Sequence, residues 1–321
     1  MSPPLDARPG GTAAPELVIG LVNNMPDAAL QATEAQFRGL LEAAAGTRRV
    51  ALQLIALPQV PRGAVGRRLL EQRYRGPELL GEMAFDGLIV TGTEPRCARL
   101  QDEPYWDEFT ALVSWAQARH CPTIWSCLAA HAAVLHLDGI ERRRLPDKLF
   151  GLFECPAQGA HPLAAGLSAR RRVPQSRYND LPEDALRRAG YVTLARSDAV
   201  GADFFVRDAG AEFVFLQGHP EYDRPALLRE YRRDVGRYLA GEREALPALP
   251  VGYFDAAVRA RLEAFAVDAP ERREPQQLAG LPLQETDAPD AALWRTDAER
   301  LYANWFERVA QLSAARRELA A

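Results

Sequence analysis

The sequence predicts an α/β protein, a parallel sheet with helices on both faces and a C-terminal helical extension. Three observations point there. Short apolar runs of strand length alternate with longer segments of helical periodicity. The runs are apolar throughout, as strands buried on both faces must be. Helical patterns follow the first, third and fourth of these early runs, the order a parallel sheet requires.

The elements follow in order. LVIGLV (Leu17–Val22) reads as a buried strand, and TEAQFRGLLEAA after it has apolar residues at helical spacing. Val50–Leu57 and Phe85–Gly92 are the second and third strands, the latter ending in a turn. Tyr105–Ala118 is a helix, Pro122–Ser126 a strand, and LAAHAAVLHL a helix directly behind it. The later chain is more mixed. LFGLFEC, YVTLARS, DFFVRD and EFVFLQG read as shorter strands, and Arg224–Leu239 as an amphipathic helix. Ala269–Asp290 is polar and proline-rich, and reads as an extended loop. A long helix closes the chain, with Trp294 and Trp305 expected to bind it to the core. The expected organisation is a flexible tail over 1–15, one domain over 16–250, and a packed extension over 251–321.

Composition excludes some functions. At 321 residues, 47% hydrophobic and 26% charged, the chain resembles an ordinary globular protein with room for a large core. A net charge of −4 argues against nucleic acid as a dedicated partner. The clusters Arg142–Arg144 and Arg170–Arg172 read as solvated faces, or as one edge of a site for an anionic substrate. No apolar run approaches the roughly 20 residues of a membrane span, and the N-terminus lacks the apolar stretch of a signal peptide. The four cysteines lack CxxC spacing, so neither a zinc site nor a disulfide framework is expected, and a reducing compartment suits them.

Two stretches carry chemistry. TIWSCLAAHA sets Cys127 between a strand and a helix. A sharp turn there lifts the side chain above the carboxyl edge of a sheet. The helix N-terminus offers free N–H groups and positive potential, which favour a thiolate and can hold an oxyanion. Cys97, Cys121 and Cys155 lack that setting and read as structural. FVFLQGHPEY ends a strand with His219 and Glu221, two apart on extended chain and therefore on one side. An imidazole so placed can act as base toward a thiol while the carboxylate orients it. The remaining histidines, His120, His131, His136 and His161, read as satisfied core or surface residues.

The elbow cysteine, QGHPEY and the strand order resemble the class I glutamine amidotransferase superfamily, whose sheet is flavodoxin-like. NNMPDAALQATEAQF, FDGLIVTG, YWDEF, PDKLFGLFE, SRY, QGHPEYD, REYRRDV and ANW narrow this. In that order, over roughly residues 16–310, they resemble the homoserine O-succinyltransferase/O-acetyltransferase family of methionine biosynthesis. The resemblance implies acyl transfer from succinyl-CoA or acetyl-CoA to homoserine by ping-pong through a cysteine thioester. It also implies a cytoplasmic homodimer with no cofactor and no metal, acyl-CoA being a co-substrate. By the same resemblance Cys127 is the nucleophile, His219 the base and Glu221 its partner. Lys148 and Ser176 correspond to substrate-binding residues, and Arg233 to the arginine that takes the homoserine carboxylate. Lys148 is the chain's one lysine among 39 lysines and arginines, which suggests a pocket that needs a compact cation.

The chain departs from the family in two places, and from glutaminases in a third. Asp27 and Ala28 stand after Met25-Pro26, where a lysine is common. In the family, a residue in the loop after TG biases the acyl group, glycine going with succinyl and glutamate with acetyl. Here Arg96 falls at that place, with Glu94 two residues before it. A cation near the acyl tail favours succinyl. Trp125 and Ala129 stand where glutaminases tend to have glycine, leaving the elbow less open. The competing readings are a glutaminase-like cysteine hydrolase, a non-catalytic metabolite binder, and an acyltransferase for another hydroxyl such as that of serine.

Overall fold

The computed structural model describes residues 16–320, so the tail expected over 1–15 lies outside the described residues. The chain runs β1 (Leu17–Val22), α1 (Asp27–Ala45), β2 (Val50–Ile55), α2 (Ala64–Arg73), α3 (Leu79–Glu82), β3 (Gly87–Val90), α4 (Trp106–Ala118), β4 (Thr123–Ser126) and α5 (Leu128–Asp138). It continues with β5 (Arg143–Glu154), β6 (Arg172–Asp180), α6 (Glu183–Arg188), β7 (Val192–Ser197), β8 (Gly201–Asp208), β9 (Glu212–Leu216), α7 (Ala226–Leu239), α8 (Ala256–Arg272) and α9 (Ala292–Ala320).

The main sheet has the order β2-β1-β3-β4-β9-β8-β7. Its first five strands are parallel, as the apolar runs predict. Side chains alternate between two buried layers. Leu88, Val90, Trp125, Phe213 and Phe215 enter one with α4 and α5, while Ile89, Ile124, Val214 and Leu216 enter the other with α1 and α9. Both faces are covered, which explains why these strands show no polar alternation. Trp305 and Trp294 are both buried, Trp305 against the sheet and Trp294 against α7.

Three features differ from the sequence reading. β8 and β7 join the sheet antiparallel, because the connections before β8 and β9 are too short for a crossover. The run LFGLFEC is part of a longer strand, β5, which leaves the main sheet to pair antiparallel with β6. Its ladder breaks between Arg144 and Leu149, around Pro146, which has no N–H to donate. The segment expected as loop over 269–290 begins as the end of α8, then forms 3-10 turns at Pro275–Gly280 and Glu285–Asp287. Its prolines and charges mask Leu281 and Leu283, which are buried beside α7.

Candidate active site

Three neighbouring strand ends build the site. β3, β4 and β9 are adjacent and parallel, so the residues just past their carboxyl ends converge. Cys127 is the first residue beyond β4. Its backbone takes φ 54°, a strained value for a residue with a Cβ, and its N–H donates to the Leu216 carbonyl at 2.7 Å. The sharp strand-to-helix turn expected from the sequence is present, and neither Trp125 nor Ala129 prevents it. Trp125 lies inside the core, edge-on to Phe109 and Phe213.

Gly92, just past β3, touches the start of α5. A Cβ at Gly92 would fall 2.8 Å from the Leu128 nitrogen. That nitrogen belongs to the first turn of α5, whose amides have no intrahelical acceptor. Asn24 secures the Gly92 turn from behind, its backbone N–H donating to Thr91 Oγ1 at 2.8 Å and its Nδ2 to the Thr91 carbonyl at 3.0 Å. This is the local role of NNMP.

His219 follows β9, and its Nδ1 lies 2.8 Å from Glu221 Oε1. Both residues are buried. Burial alone disfavours the imidazolium. The charges of Cys127 and Glu221 overcome it and hold His219 well above the ordinary histidine range. The ring stacks on Tyr222 with centroids 4.2 Å apart. Trp294 Nε1 of α9 donates to the Tyr222 carbonyl at 2.8 Å, so the C-terminal extension braces this turn. Burial pushes the Cys121 thiol to about 12 and also raises that of Cys155, which suits inert core residues. Among the described residues all four cysteines are free thiols.

Lys148, Ser176 and Arg233 converge on α7. Lys148 Nζ lies 2.9 Å from Asp234 Oδ2, 3.4 Å from Glu230 Oε2, and 3.9 Å from the centre of the Phe150 ring. Ser176 Oγ donates to the same oxygen of Glu230. Arg233 donates from Nε and Nη2 to Asp234 Oδ1 at 3.0 and 2.8 Å. Burial pushes the Glu230 and Asp234 carboxyls up, but Lys148 and Arg233 reverse this and hold both below the usual range. Arg243 adds a third cation 3.6 Å from Asp234. Tyr222 Oη donates to Glu230 Oε1 and links this cluster to the residue stacked on His219.

The sequence reading missed Glu230, Asp234 and Tyr222. The signal was the spacing of 230, 233 and 234 on one helical face of REYRRDV. The departures at Asp27 and in the loop after β3 also find places. Asp27 accepts the N–H groups of Gly63 and Gly66 at 3.2 and 3.0 Å and so caps α2, a task a lysine cannot do. Glu94 forms a two-point ion pair with Arg237 of α7 at 2.7 and 2.9 Å, which lowers its pKa. Arg96 is exposed. Its backbone N–H is held by Glu103, and its side chain lines a cavity of about 240 Å³ with Thr93, Glu94 and Arg237. Arg171, expected on a solvated face, is buried and paired with Asp203 at 2.8 Å.

Comparison with known proteins agrees with this layout. A family profile described as "Homoserine O-succinyltransferase" matches residues 8–315. The chain belongs to that family. It is 50% identical over 305 residues to the homoserine O-succinyltransferase of Methylorubrum extorquens, covering 94% of this chain and 91% of that one. It is 49% identical over 293 residues to that of Rhodopseudomonas palustris, covering 91% and 88%. Among solved structures, a glutamine amidotransferase from Methylobacillus flagellatus aligns with TM-score 0.52 and 18% identity over 91% of this chain and 94% of that one. One from Thermotoga maritima aligns with TM-score 0.50 and 14% identity, over 92% and 98%. These two likenesses establish the class I amidotransferase-like fold of this family member. Among the described residues no helix is long and apolar enough to cross a membrane.

Proposed function

We propose that this protein transfers the succinyl group of succinyl-CoA to the hydroxyl of homoserine, a step of methionine biosynthesis, through a thioester on Cys127. The observation that carries the mechanism is the elbow cysteine set beside a buried His219–Glu221 pair.

His219, held by Glu221, takes the Cys127 proton, and its raised pKa keeps the imidazolium beside the thiolate. The thiolate attacks the acyl-CoA carbonyl. The Leu128 amide and the Gly92–Thr93 turn border the place where the oxyanion forms. Coenzyme A leaves as the thiol. Homoserine then enters with its carboxylate on Arg233, close to Lys148 and Ser176. The three cations Lys148, Arg233 and Arg243 outnumber the carboxylates Glu230 and Asp234 by one. That surplus suits a carboxylate, and the acidic pair stands ready for the ammonium of the same amino acid. His219 removes the hydroxyl proton as the oxygen attacks the thioester. No step calls on a resident cofactor or metal. A cytoplasmic homodimer follows from the family resemblance, and a sedimentation mass of one chain would refute the dimer.

The test is thiol release from succinyl-CoA and acetyl-CoA, each with and without homoserine, beside Cys127→Ala. We expect homoserine-dependent turnover with succinyl-CoA and none in Cys127→Ala. Continuous turnover without homoserine, or turnover that survives Cys127→Ala, overturns the reading.

A further inference from the structure

The turn that carries the base also carries a second ring. His219-Pro220-Glu221-Tyr222 closes as a β-turn, the Tyr222 N–H donating to the His219 carbonyl at 3.2 Å. Proline suits the second place of such a turn, because its φ is already fixed near the value required. A β-turn brings its first and fourth residues together, and here their side chains stack. The Tyr222 ring lies 4.2 Å from the His219 imidazole, centre to centre, with 19° between the planes.

Tyr222 is itself held at two further points. Its carbonyl accepts from Trp294 Nε1 of α9 at 2.8 Å, and its Oη donates to Glu230 Oε1 of α7 at 2.5 Å. The other oxygen of Glu230 takes Ser176 Oγ and Lys148 Nζ. Tyr222 therefore touches the base with its ring and the Lys148–Glu230 pocket with its hydroxyl. Burial, with the charge of Glu230, holds the phenol well above its usual range, so it stays a donor at neutral pH. The charged groups facing the imidazole are Glu221 from the same turn and Cys127 from the adjacent strand end, whose N–H bonds the Leu216 carbonyl. Glu230 of α7 stands behind the phenol, and Asp203 of β8 is committed to Gly218, Gln175 and Arg171.

We infer that Tyr222 is a positioning residue for the base: its ring fixes the plane of the His219 imidazole, and its hydroxyl ties that plane to the carboxylate bordering the homoserine pocket. The tether rests on the acyltransferase reading above, while the stack does not. Glu221 holds one edge of the imidazole through a single hydrogen bond, about which the ring could still turn. The phenol face removes that freedom. An aromatic face also attracts a cation, so the stack favours the imidazolium and with it the thiolate. Glu230 then sets both the place of the amino acid and the place of the base that must reach its hydroxyl. Such alignment governs rate, since a misplacement of about 1 Å can cost 100-fold.

The experiment uses Tyr222→Phe, which keeps the ring and removes the tether, and Tyr222→Leu, which removes both. Iodoacetamide alkylation of Cys127 is followed against pH, with Cys127→Ala to subtract the other thiols. In Tyr222→Leu the midpoint should rise by about 0.5 to 1 pH unit, the worth of one cation–π contact, while Tyr222→Phe keeps the wild-type midpoint. First-turnover thiol release from succinyl-CoA is then compared with acyl transfer to homoserine. Tyr222→Phe should slow the second about 10-fold more than the first, as the loss of one charged hydrogen bond implies. A Tyr222→Leu midpoint equal to that of wild type overturns the stacking role. Equal slowing of both half-reactions in Tyr222→Phe, or slowing of neither, overturns the tether, because the hydroxyl would then serve the fold alone. Wild type that releases thiol from neither succinyl-CoA nor acetyl-CoA overturns the acyltransferase reading, and the tether with it.

Discussion

Gln175 and Ser176 are neighbours on β6, and they lead into two unlike charge clusters. Successive residues of a strand point to opposite faces. Gln175 Nε2 donates to Asp203 Oδ1 at 2.6 Å, beside the Gly218 N–H at 3.0 Å, and Asp203 Oδ2 accepts from Arg171 at 2.8 Å. The side chains of Arg171 and Asp203 are 2% and 1% exposed. Ser176 instead enters the Glu230–Asp234 pocket, where the Arg233 side chain is 44% exposed. Both clusters are built from cations and carboxylates. In one every oxygen of Asp203 is committed to protein donors, so it serves as a frame. In the other a guanidinium keeps an open side toward solvent, so it can receive a ligand. The sealed cluster also fixes the strand end beside the candidate site, since Gly218 precedes His219. A Cβ at Gly218 would fall 2.6 Å from Asp203 Oδ1, so only glycine lets the strand end lie this close to the carboxylate.

The largest effect should come from breaking the sealed cluster. Asp203→Asn leaves the buried Arg171 without its counter-charge. We expect a loss of about 3–5 kcal/mol in stability, the cost of stranding a buried charge. Urea denaturation measures it. A loss below about 1 kcal/mol would mean that water or another group reaches Arg171, and the contrast between the clusters would not hold.

In the pocket the same kind of change should act on the acceptor. Glu230→Gln keeps one acceptor oxygen, enough for Ser176 or Tyr222 but not for each on its own oxygen, and removes the charge beside Lys148. We expect kcat/KM for homoserine to fall about 10- to 100-fold, with thioester formation nearly intact. The stability effect should depend on pH in a set direction. The Glu230 carboxyl lies below its unfolded value because Lys148 and Arg233 outweigh its burial. Its contribution is therefore full above the unfolded carboxylate range, about 4, and is lost as pH falls through the lowered folded value. Thermal melts of wild type and Glu230→Gln should converge below about pH 4. Convergence on the alkaline side instead would show that the sign is wrong.

The frame of the molecule was largely legible in the sequence, and the contents of the pocket were only half so. The strands beneath the elbow could be read because both faces are buried, which leaves unbroken apolar runs such as TIW and FVFL. Cys127 could be read because a helical pattern starts directly after such a run. Pairing partners could not be read. Asp234 lies 86 positions from Lys148, and an acid on an amphipathic helix looks the same whether it meets solvent or a lysine. Arg171 shows the converse error. Within a run of three arginines it resembles its solvated neighbours, and only the fold turns it inward to Asp203. His131 was read as a satisfied core residue, and it is one in part. Its Nε2 lies 2.8 Å from Gln217 Oε1, its Nδ1 has no partner among the described residues, and burial with the charge of Arg177 depresses it to about 3.

The smallest expected change tests the finest distinction, that between two cations. Lys148→Arg conserves charge, so a pocket that needs only a positive field would accept it. The geometry argues otherwise. The ammonium stands over the face of Phe150 at 3.9 Å and reaches Asp234 at 2.9 Å, with its side chain 13% exposed. A guanidinium is wider, planar and fixed in its donor directions, so it cannot keep both contacts without displacing Glu230 or Phe150. We expect homoserine turnover to fall by up to about tenfold, consistent with one imperfect charged hydrogen bond, while the thioester forms at the wild-type rate. Sulfhydryl release in the first turnover separates the two half-reactions. Full homoserine turnover in Lys148→Arg would show that the single lysine is retained by chance and that the pocket reads charge alone.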